Sequence, residues 1–164
     1  MSSNLPSIEF KSVSRSSKHM DIKDLERVLE HKFKSKPLIV GGNAMEYYGL
    51  RRGPEDIDIV VSTDDMNVLW AKHPLYRKDI WGDRAIIKDG YEVWESITLY
   101  DYVYLSKDAV VLEDRLIISL EKLLFLMALK LKEPKYWGDL HRLVDRITGI
   151  QYMKQKEEIY ASGE

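Results

Sequence analysis

Apolar residues recur at Ile22, Leu25, Val28, Leu29 and Phe33, one face of a helix, and Asp21 stands where an N-cap belongs. The spacing predicts a helix over 21–33. Pro37 opens the apolar run Leu38-Ile39-Val40, which closes on Gly41-Gly42. That reads as a short buried strand entering a tight turn, followed by a short helix over 43–48 that ends at Gly49. Gly53-Pro54 marks a loop, and Asp-Ile-Asp-Ile-Val-Val-Ser over 56–62 reads as a second strand. A helix over 64–72 follows, capped by Ser62 or Thr63. Asp89-Gly90 is a hairpin turn between strands over 84–88 and 91–96. Residues 110–118 hold a short strand or loop. Residues 120–131 are apolar almost all round, the mark of a central helix. After Pro134, residues 136–148 form an amphipathic helix with Trp137, Leu140, Leu143, Val144 and Ile147 on its apolar face and Gly149 at C′. The order predicts an α/β (α+β) fold with a small mixed sheet flanked by helices and a short C-terminal helical pair.

Length adds the domain count: 164 residues and 19.2 kDa make one domain with a sizeable core. Residues 1–20 read as a flexible polar segment in which 8–13 can add an edge strand, residues 21–150 as the domain, and 151–164 as a polar tail. The absence of cysteine excludes a disulfide scaffold, a thiol nucleophile and thiolate metal sites, and fits a cytoplasmic setting. No apolar run is long enough for a membrane span, and the serine-rich start has no apolar signal core. Net charge is −2, so bulk attraction to nucleic acid is lacking. Charge is uneven, however: basic residues exceed acidic ones over 1–36, and acidic ones exceed basic ones over 51–108. The carboxylate-rich middle is where chemistry is expected.

Within it, Asp56 and Asp58 stand at i and i+2 of a strand, so their side chains share a face. Two like charges that close repel by about 1–4 kcal/mol. A divalent cation held by oxygen ligands together with substrate phosphates offsets that repulsion. Upstream, Gly41-Gly42 between strand and helix let backbone approach a ligand and aim amide groups at a phosphate.

A Val40-Gly41-Gly42 turn, thirteen residues, then Asp56-Ile57-Asp58-Ile59 resembles the nucleotidyltransferase superfamily that includes DNA polymerase β. With Ala44, Gly49 and Arg52 in place, the segment is most similar to the minimal and abortive-infection nucleotidyltransferases, which include toxin–antitoxin members and antibiotic-modifying enzymes. The resemblance implies a nucleotidyltransferase fold. It also implies Mg²⁺-dependent transfer of an NMP from an NTP, such as ATP, to an acceptor hydroxyl, with release of pyrophosphate. Mg²⁺, or Mn²⁺ in its place, would be held by Asp56 and Asp58. The Gly41-Gly42 turn with Asn43 would hold phosphates, and Arg52 and Lys122 would contact the nucleotide. A third acid would bind a second metal and help deprotonate the acceptor. Tyr91-Glu92-Val93 fits that motif, so Glu92 is expected there, with Glu95 and Asp101 as alternatives. The acceptor is a protein side chain, an RNA 3′ end or a small molecule. An antibiotic-modifying enzyme and a catalytically silent binding or antitoxin-type protein are the rival readings. A protein partner or homodimer is compatible with each.

Other features have plainer readings. Lys135 to Leu140 keeps part of a C-terminal family motif, with Asp139 its remaining acid, and Lys130 joins Lys122 as a candidate phosphate contact. His19, His31, His73 and His141 lack metal-ligand spacing and read as surface residues. Tyr100, Tyr102 and Tyr104 alternate with Asp101 and Val103 and read as core or rim packing.

Overall fold

The computed structural model describes residues 20–53, 56–130 and 132–163. The expected edge strand over 8–13, and the rest of the N-terminal segment up to residue 19, lie outside them.

Helix α1 (Ile22–Leu29) starts where Asp21 accepts the Lys23 amide at 2.9 Å. It stops short of Phe33 because Glu30 turns left-handed, with φ 49°. The chain beyond it is gathered by one buried carboxylate: Asp65 accepts from His31 Nε2, from the Lys34 and Ser35 amides and from Ser62 Oγ. Strand β1 (Leu38–Ile39) leads straight into α2 (Gly41–Tyr47), which ends before Gly49, where φ is +70°. Strand β2 (Ile57–Val60) is followed by α3 (Thr63–Lys72), capped by Ser62, whose hydroxyl accepts the Asp65 amide.

A short 3-10 turn at Pro74–Tyr76 then enters β3 (Arg77–Ile80), which pairs antiparallel with β4 (Asp83–Lys88). The hairpin from β4 to β5 (Tyr91–Trp94) turns on Asp89-Gly90, both with positive φ, as the dipeptide predicts. Two minor strands, β6 (Ser96–Ile97) and β7 (Tyr100–Asp101), and the short helix α4 (Tyr102–Leu105) come next. Strands β8 (Val110–Val111) and β9 (Leu116–Ile117) precede α5 (Leu120–Leu129). After a second 3-10 turn at Pro134–Tyr136, the chain ends in α6 (Trp137–Ala161).

Among the described residues, seven strands form one mixed sheet in the order β3-β4-β5-β2-β1-β9-β8, with β6 and β7 as a separate pair. Strands β2 and β5 run parallel at its centre, as do β1 and β9. Helices cover both faces. On one, α1 and α3 bury Leu25, Leu29, Met66 and Leu69 against Ile57, Ile59 and Val93. On the other, α2, α5 and α6 pack Met45, Leu123, Met127 and Leu143 against Leu38 and Val60. The fold is mixed α+β, with a sheet between two helical layers.

Several expectations need correction. Strand β3 escapes the pattern because all of its residues are exposed, so no alternation marks it. The Tyr100–Tyr104 stretch divides between β7 and α4, because Asp101 accepts the Tyr104 amide and starts the helix. Tyr100 does pack, against Phe125 at 4.9 Å between ring centres. Helix α6 runs through Gly149 to Ala161, so residues 151–161 are helical. Trp137 is 59% exposed rather than part of the core face, while Leu143 is fully buried. His73 is buried, with Nε2 bonded to the Leu29 carbonyl at 2.6 Å, and His31 serves Asp65, so neither is a surface residue.

Candidate functional site

Strand alternation sets the site. Ile57, Ile59 and Val61 turn toward α1 and α3, so Asp58 and Val60 turn toward α5. In the adjoining parallel strand, Tyr91 and Val93 face α1 and α3, which places Glu92 with Asp58. The two acids are register partners across β2 and β5. The facing Glu92 carboxyl adds to burial in holding the Asp58 carboxyl above its ordinary range.

Gly41 closes the other side. Its φ is +60°, and a Cβ there would lie 2.8 Å from Asp58 Oδ2. Only glycine lets the backbone pass that close to the acid in that conformation. The Val40 amide donates to the Asp58 carbonyl at 3.2 Å and keeps β1 and β2 together at this point. Asp58 Oδ1 is buried with no hydrogen-bond partner among the described residues. A buried acceptor without a partner is costly unless a proton or cation satisfies it. Burial is the main cause that raises the Asp58 carboxyl to about 8, Glu92 adds to it, and Lys130 opposes it.

These groups line a cavity of about 210 Å³ between the sheet and the end of α5. Asp58, Glu92 and Asp83 are the acids of its lining, Lys130 brings the positive charge, and Gly41, Ile80 and Thr98 line it as well. Of the two lysines named from the sequence, the fold therefore brings Lys130 to the acids. Lys122 does not line the cavity; its ammonium lies 3.7 Å from the centre of the Tyr104 ring.

The remaining expected residues are placed elsewhere. Asp56 sits one residue before β2 and is exposed. Its carbonyl accepts from Asn43 Nδ2 at 3.3 Å, so Asn43 ties α2 to the strand entry instead of lining the cavity. Gly42 is buried in the first turn of α2. Arg52 is exposed, and its carbonyl accepts from Arg51 Nη1. Glu95 is engaged by Arg84, with Nε to Oε1 at 3.1 Å, and Asp101 caps α4. Asp139 is buried and forms a two-pronged pair with Arg51, at 2.7 and 3.0 Å.

Among the described residues, no three His, Asp or Glu side chains gather into a metal-binding cluster. Mg²⁺ does not require three: it is commonly held by one or two carboxylates with substrate phosphates and water completing its shell. The orphaned Asp58 Oδ1 beside Glu92, kept open by Gly41, fits such a cation.

The sequence pattern did not disclose Ile80, Asp83, Thr98 or Trp94 as cavity residues. They come from β3, β4, β5 and the turn after β6, whose approach depends on how the strands pair. Asp83 has a structural task, accepting from Ser96 Oγ and from the Thr98 and Leu99 amides. Compared with known proteins, the chain matches no family model, no curated protein and no solved structure.

Proposed function

We propose that the chain is a nucleotidyltransferase that moves an NMP from an NTP to an acceptor hydroxyl, releasing pyrophosphate. The observation that carries the reading is the Asp58–Glu92 pair beside Gly41, with a buried carboxylate oxygen that has no hydrogen-bond partner among the described residues. Asp58 and Glu92 would hold Mg²⁺, which when bound neutralises phosphate charge and favours displacement at phosphorus. Gly41 leaves room for phosphate oxygens beside Asp58. Lys130, also in the lining, supplies a countercharge that would meet a phosphate as a point charge. In the reaction the acceptor oxygen bonds to the α-phosphorus, the bond to the β-phosphate oxygen breaks, and the hydroxyl proton passes to a carboxylate of the pair.

One observation favours a second reading, a nucleotide-binding protein without transfer activity: Asp56 is exposed just before β2 and does not line the cavity. The two readings share a first test and separate in a second. Thermal unfolding with each NTP, with and without Mg²⁺, is run on the wild type and on Asp58→Asn and Glu92→Gln. A ligand at 100 times its Kd stabilises by about 2.7 kcal/mol, several degrees for a domain of this size. The expected result is a Mg²⁺-dependent rise that both variants lose; no rise with any NTP overturns both readings. Transfer of label from an α-labelled NTP then marks the enzyme, and binding without transfer marks the silent protein.

A further inference from the structure

We infer that Trp81 is the stacking platform for the base of the nucleotide whose phosphates enter the Asp58–Glu92 cavity, an inference that rests on the nucleotidyl-transfer reading. The first observation is size. At about 210 Å³ the cavity is smaller than the roughly 300–1,000 Å³ of sites that enclose a whole small-molecule ligand. It can take the phosphate end of a nucleotide, and the rest must extend over the rim.

The second observation is what the turn beside the cavity carries. Ile80 and Asp83 line the cavity, and Trp81 lies between them in the β3–β4 turn. Its side chain is 94% exposed, although burial of an indole is strongly favourable. The neighbouring turn presents Leu99, 68% exposed, beside Thr98, which lines the cavity. The two turns touch: a Cβ on Gly82 would lie 3.1 Å from Leu99 Cδ2.

The third observation is that both turns are held in place. Asp79 Oδ1 accepts the Gly82 amide at 2.8 Å, and Asp83 accepts the Thr98 and Leu99 amides at 2.8 and 2.9 Å. Trp81, Thr98 and Leu99 all have left-handed backbone, at φ 52°, 50° and 64°. Such conformations favour glycine or asparagine in a turn that only has to reverse the chain. A solvent-facing indole on a hydrogen-bonded turn, next in the chain to a residue that lines a phosphate-sized cavity, is suited to a planar, uncharged partner. In a nucleotide that partner is the base, and stacking is tolerant of which base it is.

The test compares Mg²⁺–NTP with Mg²⁺–tripolyphosphate, which has the phosphates and no base, on the wild type, Trp81→Ala and Trp81→Phe. The expected result is that NTPs bind about ten-fold or more tighter than tripolyphosphate. Trp81→Ala removes that advantage while leaving tripolyphosphate affinity unchanged, and Trp81→Phe keeps most of it. Indole fluorescence falls on NTP binding to the wild type, and that fall shrinks in Trp81→Ala. Equal affinity for NTP and tripolyphosphate in the wild type overturns the stacking role and leaves the phosphate site standing. An NTP advantage that survives Trp81→Ala, or an equal loss of both ligands in that variant, also overturns it. Failure of both ligands to bind the wild type overturns the nucleotidyl-transfer reading and the stacking role with it.

Discussion

Two buried carboxyls in this chain are pulled in opposite directions, and the difference lies in what surrounds each. Burial alone would raise Asp65, but the Lys34 and Ser35 amides, His31 and Ser62 all bond to it and hold it below its ordinary 3.8. A carboxyl lowered in the folded state adds stability above its ordinary pKa, and that stability is lost as pH falls below about 4 toward the folded value. Asp65→Asn is expected to cost about 2–4 kcal/mol at neutral pH, read as a lower denaturant midpoint, and to weaken the acid limb of the stability profile. Asp58 has the opposite sign. Raised from 3.8 to about 8, it keeps its proton in the folded state, so metal-free stability is full below about 4 and declines as pH rises to about 8. Asp58→Asn is expected to be more stable than the wild type at pH 8 in chelator and to flatten that decline. If the chain binds Mg²⁺ and NTP as proposed, the order reverses in their presence, because Asn at 58 would not hold the cation as a carboxylate does. A pH series of denaturant melts in chelator checks the first part, since a wild type whose stability does not fall over that range would contradict it.

At the scale of elements, α6 shows a pattern overruled by its surroundings. Gly149 looked like a stop because glycine is common just past a helix end. The helix instead continues to Ala161, about 37 Å in all. Gly149 meets nothing within 4 Å, so no tertiary contact needs its lack of a side chain. Gly149→Ala is therefore expected to raise stability by about 1 kcal/mol or slightly less, visible as a higher Tm and stronger helical circular dichroism. Gly41 is the contrasting glycine. It starts α2 with a left-handed residue against Asp58, where a methyl group would collide with the acid. Strand β3 shows the converse limit, an edge strand with every residue exposed, held by its pairing with β4 and carrying Arg77, Lys78 and Asp79 along an otherwise open edge.

At the scale of the whole molecule, the site depends on contacts between distant parts of the chain. Arg51, just beyond α2, reaches Asp139 in the first turn of α6, and Arg146 of α6 donates to the Tyr48 carbonyl. These bonds fasten the last helix over the segment that joins α2 to β2. Asp139→Asn is expected to lower stability by about 2–3 kcal/mol, since it leaves Arg51 facing a neutral partner in a partly buried setting. A denaturant melt equal to that of the wild type would contradict the claim. The comparison of chain and structure divides along the same scale. Helices α1, α3 and α5, the Asp89-Gly90 hairpin and the strands bearing Asp58 and Glu92 were legible because each announces itself in a few neighbouring residues, by apolar period, cap or turn dipeptide. Other features required the tertiary structure: that Glu92, and neither Glu95 nor Asp101, lies beside Asp58; that Asp56 falls outside the strand; and that Lys130 rather than Lys122 meets the acids. They depend on strand order, register and helix docking, which arise from burial summed over residues far apart in the chain and leave no trace in a short stretch of sequence.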